Sequence, residues 1–486
     1  MHILGINDSS HDASVSVIKN GKILFAAHAE RYSKIKNDFS LNKQILDEAL
    51  EFGVPDKIAY FEKRNKKRLR MFLHGGKNGK YAANLYKNKI FGKELQGIKE
   101  IQVSHHRSHA SAGFLTSPFN EAVTVVIDAI GEFETASIWS CQNGKIKKIW
   151  SLRYPTSFGL FYSFITDYVG LEPGRDEYIL MAMAAYGDKT KYEGNLDAFF
   201  PAHNVQTMSF HKKLLSERSI RDENDIFDIA AAAQAVFEKR LGEIMNFAQR
   251  LTKSKNLVYM GGCALNCAAN PILYNIFEKV WIMPNPGDSG SSLGAALSVY
   301  AKHVEWRGPY LGKNIGGHYP VEKVIKELIN TGVVGVMNGR AEFGPRALGN
   351  RSLLADPRSV ASRDNVNLIK MREKFRPFAP VVLEEDANEW FDLPAMSPYM
   401  QLAVRAKKPN LIPGAVHVDG TSRVQTVSKD QHPGLHAVLT KWKNLTGIPV
   451  LINTSLNIKN QPLLNDMEDA ECWKTNNPNI PLIIGS

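Results

Sequence analysis

Residues 3–27 read ILGINDSSHDASVSVIKNGKILFAA, and residues 122–131 read AVTVVIDAIG. The first stretch breaks into three short apolar runs, Ile3 to Ser10, Ala13 to Ile18 and Lys22 to Ala27, with polar turns at Asn7-Asp8 and Lys19-Asn20-Gly21. Asn-Gly between alternating apolar residues signals a hairpin, because both residues tolerate the positive φ of a tight primed turn. The chain therefore opens with a β-meander. The second stretch repeats the pattern: Ala122 to Ile127 is a strand ending at Asp128, and another hairpin signal follows at Gln142-Asn143-Gly144. Strand, polar turn, strand, given twice, predicts two related α/β halves facing one cleft.

Outward from these stretches, Ile226 to Ala248 is an Ala-rich helix, Leu257 to Met260 a buried strand, and Gly261-Gly262 a turn expected to open a helix over Leu265 to Ala269. On such a helix Cys263 and Cys267 share a face, but zinc needs a second ligand pair and no further thiolates lie nearby. Between Val304 and Pro320 the composition shifts to WRGPYLGKNIGGHYP, after which a helix (Val321 to Asn330) and a strand (Val333 to Met337) begin. The domain boundary is placed there, giving domains 1–315 and 316–486. The second alternates strands (Ala379 to Val382, Met400 to Val404, Val450 to Ile452) with helical stretches, enough for one α/β domain with its own core.

The chain has 486 residues, 44% hydrophobic and 22% charged, which at roughly 100 to 200 residues per domain makes two or three packed units and excludes global disorder. No apolar run reaches the roughly 18 residues of a membrane helix, and Met1-His-Ile-Leu-Gly lacks the basic and long apolar regions of a signal peptide. No membrane partner and a cytoplasmic location are expected. Cys141, Cys263, Cys267 and Cys472 are too sparse to staple a chain of this size, so disulfides are not expected. Lys and Arg number 60 against 49 Asp and Glu, a net +11. Between Phe61 and Glu100, 12 cations face 3 acids, so most of the excess charge lies in one window. Lys63, Arg64, Lys66, Lys67, Arg68 and Arg70 lead it, and Tyr81, Tyr86 and Phe91 are interleaved further on, a composition able to track phosphates and stack bases. A solvated helix face is the other reading of the same residues.

Three constellations carry chemistry. In Val103-Ser-His105-His106-Arg107-Ser-His109, the histidines at i and i+4 present two imidazoles on one helix face, as metal binding requires. Oxygen ligands for them are available at Asp128, which ends a strand, and at Asp288 in Pro286-Gly287-Asp288-Ser289-Gly290, although aspartates in such places also cap helices. A set of two histidines and two aspartates prefers Fe, Mn or Zn with open positions. The second constellation is the pair of glycine turns, Gly261-Gly262-Cys263-Ala264-Leu265-Asn266 and Pro286 to Gly294, whose bare backbones let a nucleotide or phosphate approach.

The third runs Gly339-Arg340-Ala-Glu342-Phe-Gly344-Pro345-Arg346-Ala-Leu-Gly349-Asn-Arg351-Ser352, then Asp356-Pro-Arg358, then Lys370-Met-Arg372-Glu-Lys-Phe-Arg376-Pro-Phe-Ala-Pro380. Its cations sit among glycines and prolines, which fix guanidiniums for bidentate capture of phosphates, with Glu342 and Asp356 able to orient the forks. A surface ion-pair network is the alternative. Arg423 and the run Asn453-Thr454-Ser455-Leu456-Asn457 add one more cation with hydroxyl and amide groups.

These residues resemble the O-carbamoyltransferase family that includes nodulation-factor and antibiotic carbamoyltransferases, from Leu4 to the C-terminus. The likeness rests, in family order, on Ser10-His11-Asp12-Ala13, Glu30-Arg31-Tyr32-Ser33, His105 to Ala110, Tyr186-Gly187, Gly261 to Asn266, Gly287 to Gly290, Gly339 to Ser352, Arg372 to Pro380 and Asn453 to Ser455. It implies an actin-like (ASKHA) two-lobed N-terminal domain with a metal site, similar to the tRNA threonylcarbamoyladenosine transferase. A C-terminal α/β domain similar to threonylcarbamoyl-adenylate synthase would follow it.

The resemblance further implies a two-step reaction. The C-terminal domain makes carbamoyl-adenylate from ATP and carbamoyl phosphate, and the N-terminal domain transfers the carbamoyl group to a hydroxyl. Carried over by residue, Lys370, Arg376, Arg346, Arg351, Arg423 and Ser455 would hold carbamoyl phosphate and nucleotide phosphates, with Ser397 to Met400 lining the pocket. Gly261, Gly262, Asn266 and Gly290 would lie on the nucleotide. His105, His109, Asp128 and Asp288 would hold a divalent metal, iron foremost, with magnesium accompanying ATP. His11 would serve as neutral general base. Two positions depart from the family pattern: Ala129 stands where a glycine is usual, and Ile179 where a lysine is common. The basic window makes nucleic acid the expected acceptor, such as 5-hydroxymethylcytosine in DNA. A sugar or antibiotic-like hydroxyl, a threonylcarbamoyl-tRNA enzyme and a non-catalytic actin-like nucleotide binder stand as alternatives.

Overall fold

The computed structural model describes residues 1–9, 11–74, 95–197 and 223–485. Strand β1 (His2–Asn7) is buried along its whole length. It pairs antiparallel with β2 (Ser14–Lys19), from His2 opposite Lys19 to Asn7 opposite Ser14. Asn20 and Gly21 both take positive φ, 51° and 80°, and turn the chain into β3 (Lys22–His28), as the hairpin signal predicts. β4 (Lys57–Tyr60) then joins β1 in parallel and β5 (Lys99–Gln102) joins β4, so the sheet order is β3-β2-β1-β4-β5.

The second stretch builds the same arrangement. β6 (Glu121–Ile127), β7 (Glu134–Gln142) and β8 (Lys145–Arg153) form a meander that turns at Asn143-Gly144, and β9 (Asn256–Met260) and β10 (Lys279–Trp281) add in parallel on the other side. Each sheet thus has its first strand in the middle, an antiparallel meander on one flank and two parallel strands on the other. Two helices pack against each other here, His105–Thr116 against the second sheet and Ser291–Tyr300 against the first. Their approach is close enough that a Cβ on Gly294 would lie 1.8 Å from the Ser108 carbonyl oxygen.

One expected helix is absent. Residues 265–269 form no α-helix; the chain runs through the 3-10 turns Gly262–Leu265 and Asn270–Asn275. The Asn266 side chain accepts from the Ala269 N–H at 3.1 Å, the local bond by which asparagine competes with helical pairing. Cys263 and Cys267 therefore share no helix face. All four cysteines are free thiols.

Farther along, β11 (Tyr310–Asn314) pairs with β13 (Arg340–Glu342). A seven-stranded mixed sheet takes β12 (Val333–Met337), β14 (Arg351–Ala355), β15 (Ala379–Leu383), β16 (Leu402–Arg405), β17 (Thr421–Val427), β18 (Val450–Ser455) and β19 (Leu482–Ile484), in the order β16-β17-β15-β18-β14-β12-β19. Alternation along β12 divides its side chains between two cores. Val334 and Val336 pack with Leu328, Leu439 and Trp442, while Val333 and Met337 pack with Val366, Phe378 and Trp473. Both faces of the sheet are covered. Mixed α/β architecture in several sheets is what the alternating pattern predicts.

The chain divides into two compact units, 1–29 with 37–306, and 30–36 with 307–486. The inclusion of Glu30–Lys36 in the second unit is a departure from the single boundary expected near residue 315. Among the described residues, no helix is long and apolar enough to cross a membrane.

Candidate functional site

The His105–Thr116 helix is buried on almost every side. Its first turn carries both histidines of the expected pair, and their Nε2 atoms lie 3.1 Å apart. Asp128 enters directly after β6, and Asp288 from the 3-10 turn Asp288–Gly290. Asp128 Oδ2 stands 3.0 Å from His105 Nε2 and 3.2 Å from His109 Nε2, and Asp288 Oδ1 stands 3.4 and 3.3 Å from the same two atoms. All four ligand atoms lie within 4.8 Å of one another, so the set expected from sequence is brought together.

The surroundings aim these atoms inward. His109 Nδ1 faces the Pro286 carbonyl oxygen at 3.1 Å, which places its proton there and turns the Nε2 lone pair to the centre. Asp128 Oδ1 accepts from the Ala129 N–H at 2.8 Å and the Gly262 N–H at 3.3 Å, leaving Oδ2 for the centre. Burial opposes charge on Asp128, but His105 and His109 outweigh it and hold the carboxyl well below the ordinary range. Two imidazole nitrogens this close, against two carboxylates, require positive charge between them, either a proton or a divalent ion. The donor set and its orientation fit a first-row divalent metal.

His11 sits among polar groups. Its Nδ1 lies 3.0 Å from Asp12 Oδ2 and its Nε2 2.7 Å from the Gly174 carbonyl oxygen, with Asn37 Nδ2 3.2 Å from that same nitrogen. Burial lowers its affinity for the proton, but the hydrogen bond and charge of Asp12, then the charge of Asp288, raise the pKa to about 10. A pKa raised in this way favours the imidazolium at neutral pH, where a neutral base was expected. The adjacent carboxylate in Ser10-His11-Asp12 is the signal that was available. The Asn7 amide donates to the carbonyls of Asp12 at 3.0 Å and Asp288 at 2.9 Å, so this turn and the metal-type turn share one anchor.

The glycine turns buttress the cluster. Gly261 has φ +94° and a Cβ there would fall 2.1 Å from the Ile127 carbonyl oxygen, while one on Gly290 would fall 2.0 Å from the Asn285 carbonyl oxygen. Asn266, expected on a nucleotide, exchanges two hydrogen bonds with Gln234, donating to Oε1 at 2.9 Å and accepting from Nε2 at 3.1 Å. Of the two departing positions, Ala129 donates its N–H to Asp128 as above, and Ile179 is a buried core residue.

In the second unit, Lys370 ends the helix Val360–Lys370 and its ammonium donates to the Ser455 carbonyl at 2.7 Å, to Ser455 Oγ at 3.2 Å and to Asn457 Oδ1. Burial, then the charges of Arg372, Arg376 and Lys36, push its pKa well below the ordinary lysine value. Expected partners Lys370, Ser455 and Arg376 are thus gathered, and Asn457 joins them. Arg376 pairs with Glu373 at 3.0 Å. Arg346 and Arg423 are half-buried, Arg423 on β17 opposite Ala403. Met400 is buried at φ +59°, held by its N–H on the Ser397 carbonyl at 3.4 Å.

Arg351 departs from the open phosphate ligand expected. It is fully buried, its Nη1 donating to the carbonyls of Asn338 and Asn350 and its Nη2 to those of Lys313, Gly339 and Asn465. Burial lowers its pKa to about 10, with Glu342 opposing and Arg31 adding to the effect. Glu342 Oε1 accepts from the N–H groups of Leu348, Asn350 and Arg351 at 2.8, 2.9 and 3.2 Å, so it orders the backbone of the arch from Gly339 to Arg351 instead of a guanidinium fork.

The basic window is only partly an open surface. Lys63 donates through Nζ to the Gln102 carbonyl, Arg64 pairs with Glu100 at 2.8 Å and stacks 3.8 Å from the Tyr60 ring, and Lys67 is buried on Glu62 at 2.8 Å. Lys66 is exposed, and Arg68 and Arg70 are half-buried. Tyr81, Tyr86 and Phe91 lie outside the described residues.

Residues 57–297 match the family model described as Carbamoyltransferase N-terminus, and residues 325–485 the one described as Carbamoyltransferase C-terminus. The chain is 31% identical to Nodulation protein NolNO of Sinorhizobium fredii, over 96% of this chain and 76% of that one. It is 29% identical to 3'-hydroxymethylcephem-O-carbamoyltransferase of Streptomyces clavuligerus, over 94% of this chain and 93% of that one. Among solved structures it is similar to full-length HypF in the phosphate- and nucleotide-bound form, at 14% identity and a TM-score of 0.33, covering 61% of this chain and 46% of that one.

Proposed function

The chain belongs to the O-carbamoyltransferase family, and from that premise we propose that it activates carbamoyl phosphate with ATP and transfers the carbamoyl group to a hydroxymethyl-type hydroxyl on a small molecule. The observation that carries the reading is the convergence of His105, His109, Asp128 and Asp288 within 4.8 Å, in a chain whose two halves match the two carbamoyltransferase models. The shared strand order of the two five-stranded sheets supports an actin-like duplicated body for domain 1–315, with 316–486 as the adenylate-forming domain.

Activation balances when water hydrolyses carbamoyl phosphate to carbamate and inorganic phosphate, and a carbamate oxygen then displaces pyrophosphate from the α-phosphorus of ATP. Lys370, Arg376, Arg346 and Arg423 bind the anionic groups and offset charge that builds on them. Arg351 contributes by holding the arch that carries Arg346. In transfer, the acceptor oxygen forms a bond to the carbamoyl carbon as the bond to AMP breaks, and the hydroxyl proton passes to water. His105, His109, Asp128 and Asp288 would hold the metal, which supplies Lewis-acid polarisation of the carbamoyl carbonyl when bound. His11, a cation in the free protein, acts as a proton donor and electrostatic partner on this turn; Asp12 keeps it charged.

A DNA hydroxymethylpyrimidine is the second reading, supported by the positive window from Phe61 to Glu100 and by exposed Lys66. The internal pairing of Lys63, Arg64 and Lys67 favours the small acceptor. Incubation with carbamoyl phosphate and ATP is expected to release pyrophosphate. Adding a hydroxymethyl cephem, an amino-sugar panel or hydroxymethylcytosine DNA in separate arms should then give a mass gain of one carbamoyl group on a small acceptor. No pyrophosphate release overturns the activation step, and carbamoylated DNA with unmodified small acceptors overturns the choice of acceptor.

A further inference from the structure

Glu30–Lys36 is flanked in sequence by Ala29 and Asn37, both of the first unit, but packs as part of the second. Arg31 is 3% exposed, and its Nη2 donates to the Gly344 carbonyl at 2.8 Å, two residues before Arg346. Lys34 Nζ donates to the Arg31 carbonyl at 2.8 Å and pairs with Asp469 Oδ2 at 2.5 Å. That same Asp469 oxygen accepts from the Asn465 N–H at 2.6 Å, and the Asn465 carbonyl accepts from Arg351 Nη2 at 3.2 Å. The segment therefore grips the arch from Gly339 to Arg351 at two places: directly at the turn carrying Arg346, and through Asp469 and Asn465 at Arg351. A guanidinium is costly to bury unless pairing and hydrogen bonds compensate it; here Glu30 pairs with Arg31 at 3.2 Å and the bond to Gly344 holds the turn that precedes Arg346.

We infer that Arg31 and Lys34 are positioning residues of the phosphate-handling site, bracing the arch so that its cations meet carbamoyl phosphate and ATP already aligned. This rests on the adenylate-forming reading of the second unit. Pre-alignment of this kind shows in substrate affinity, because a small displacement of a binding group is felt at the reacting atoms.

The test is steady-state pyrophosphate release by the full-length protein with carbamoyl phosphate varied at saturating ATP. Arg31→Met should raise the KM for carbamoyl phosphate about tenfold, with kcat changed far less. Arg31→Lys, which keeps a donor, should recover part of that loss, and Lys34→Met should raise the same KM by a smaller factor. Metal content should equal that of the unaltered protein, since the first unit is untouched. An unchanged KM in Lys34→Met and Arg31→Met, or a fall in kcat alone that follows the folded fraction, overturns the bracing. Should Arg31→Met not fold, Lys34→Met and Asp469→Asn decide on the same criterion. A wild-type protein that releases no pyrophosphate overturns the underlying reading instead. In that event calorimetric titration with inorganic phosphate decides the bracing, which fails if the variants bind as tightly as the wild type.

Discussion

Lys370 and His11 show how far a residue's neighbours decide its chemistry. Burial and the neighbouring Arg372 and Arg376 lower Lys370 well below the ordinary lysine value. The unfolded chain holds that proton up to about pH 10.4, so between the folded pKa and that value unfolding takes up a proton and stability rises with pH. Lys370→Ala is expected to abolish carbamoyl-phosphate-dependent pyrophosphate release and to flatten that rise in a series of thermal midpoints. A variant that still releases pyrophosphate at the wild-type rate removes Lys370 from the site. His11 has the opposite sign. Its folded pKa of about 10 lies above the ordinary 6.5, so its contribution to stability is complete below 6.5 and is lost as pH rises through about 10. NMR titration of the imidazole in the acceptor-free protein should place the midpoint near 10; a midpoint near 6.5 restores the neutral base. The histidine and the Asp12 carboxylate that raises its pKa were legible in Ser10-His11-Asp12, but the further contributions of Asp288 and the Gly174 carbonyl come from far away in sequence, and no local pattern ties either to it.

At the scale of elements, strands were readable because alternation and Asn-Gly turns are local signals, and both hairpins form at the residues that carry them. The helix expected over Leu265 to Ala269 was not, because Asn266 bonds to the Ala269 N–H and to Gln234, a residue far away in sequence. The i, i+4 histidine pair was legible for the same reason as the strands: helical geometry alone stacks the two rings. What sequence spacing did not show is how tightly that helix is wedged. A methyl on Gly294 would meet the Ser108 carbonyl oxygen at 1.8 Å, and backbone at that distance has to move. Gly294→Ala is expected to destabilise the protein by about 2 kcal/mol through overpacking, read from the urea midpoint. Ser108 adjoins His109, so the same change should weaken metal retention on dialysis. A midpoint equal to wild type would mean that the two helices part without cost.

The chain folds as two compact units, and the sequence placed a boundary between them near residue 315 while giving no sign that Glu30–Lys36 packs with the second. Contacts such as Arg31 to Gly344 join residues more than three hundred positions apart, a relation that composition and periodicity do not carry. If activation belongs to one unit and transfer to the other, damage to the transfer unit should leave activation standing, while damage to the activation unit should stop transfer only for want of its donor. His105→Ala, or removal of metal with a chelator, is expected to leave pyrophosphate release within about twofold of wild type while stopping carbamoyl transfer, because the histidine cluster belongs to the first unit and the proposed phosphate-handling cations to the second. Lys370→Ala should stop both, since transfer has no donor without activation, and supplied carbamoyl-adenylate should restore transfer to Lys370→Ala but not to His105→Ala. The measurement is paired: pyrophosphate by a coupled assay and carbamoylated acceptor by mass, on the same reaction. Loss of pyrophosphate release in His105→Ala, with metal content and folding checked, means that the cluster takes part in activation and that the division of labour between the units is wrong.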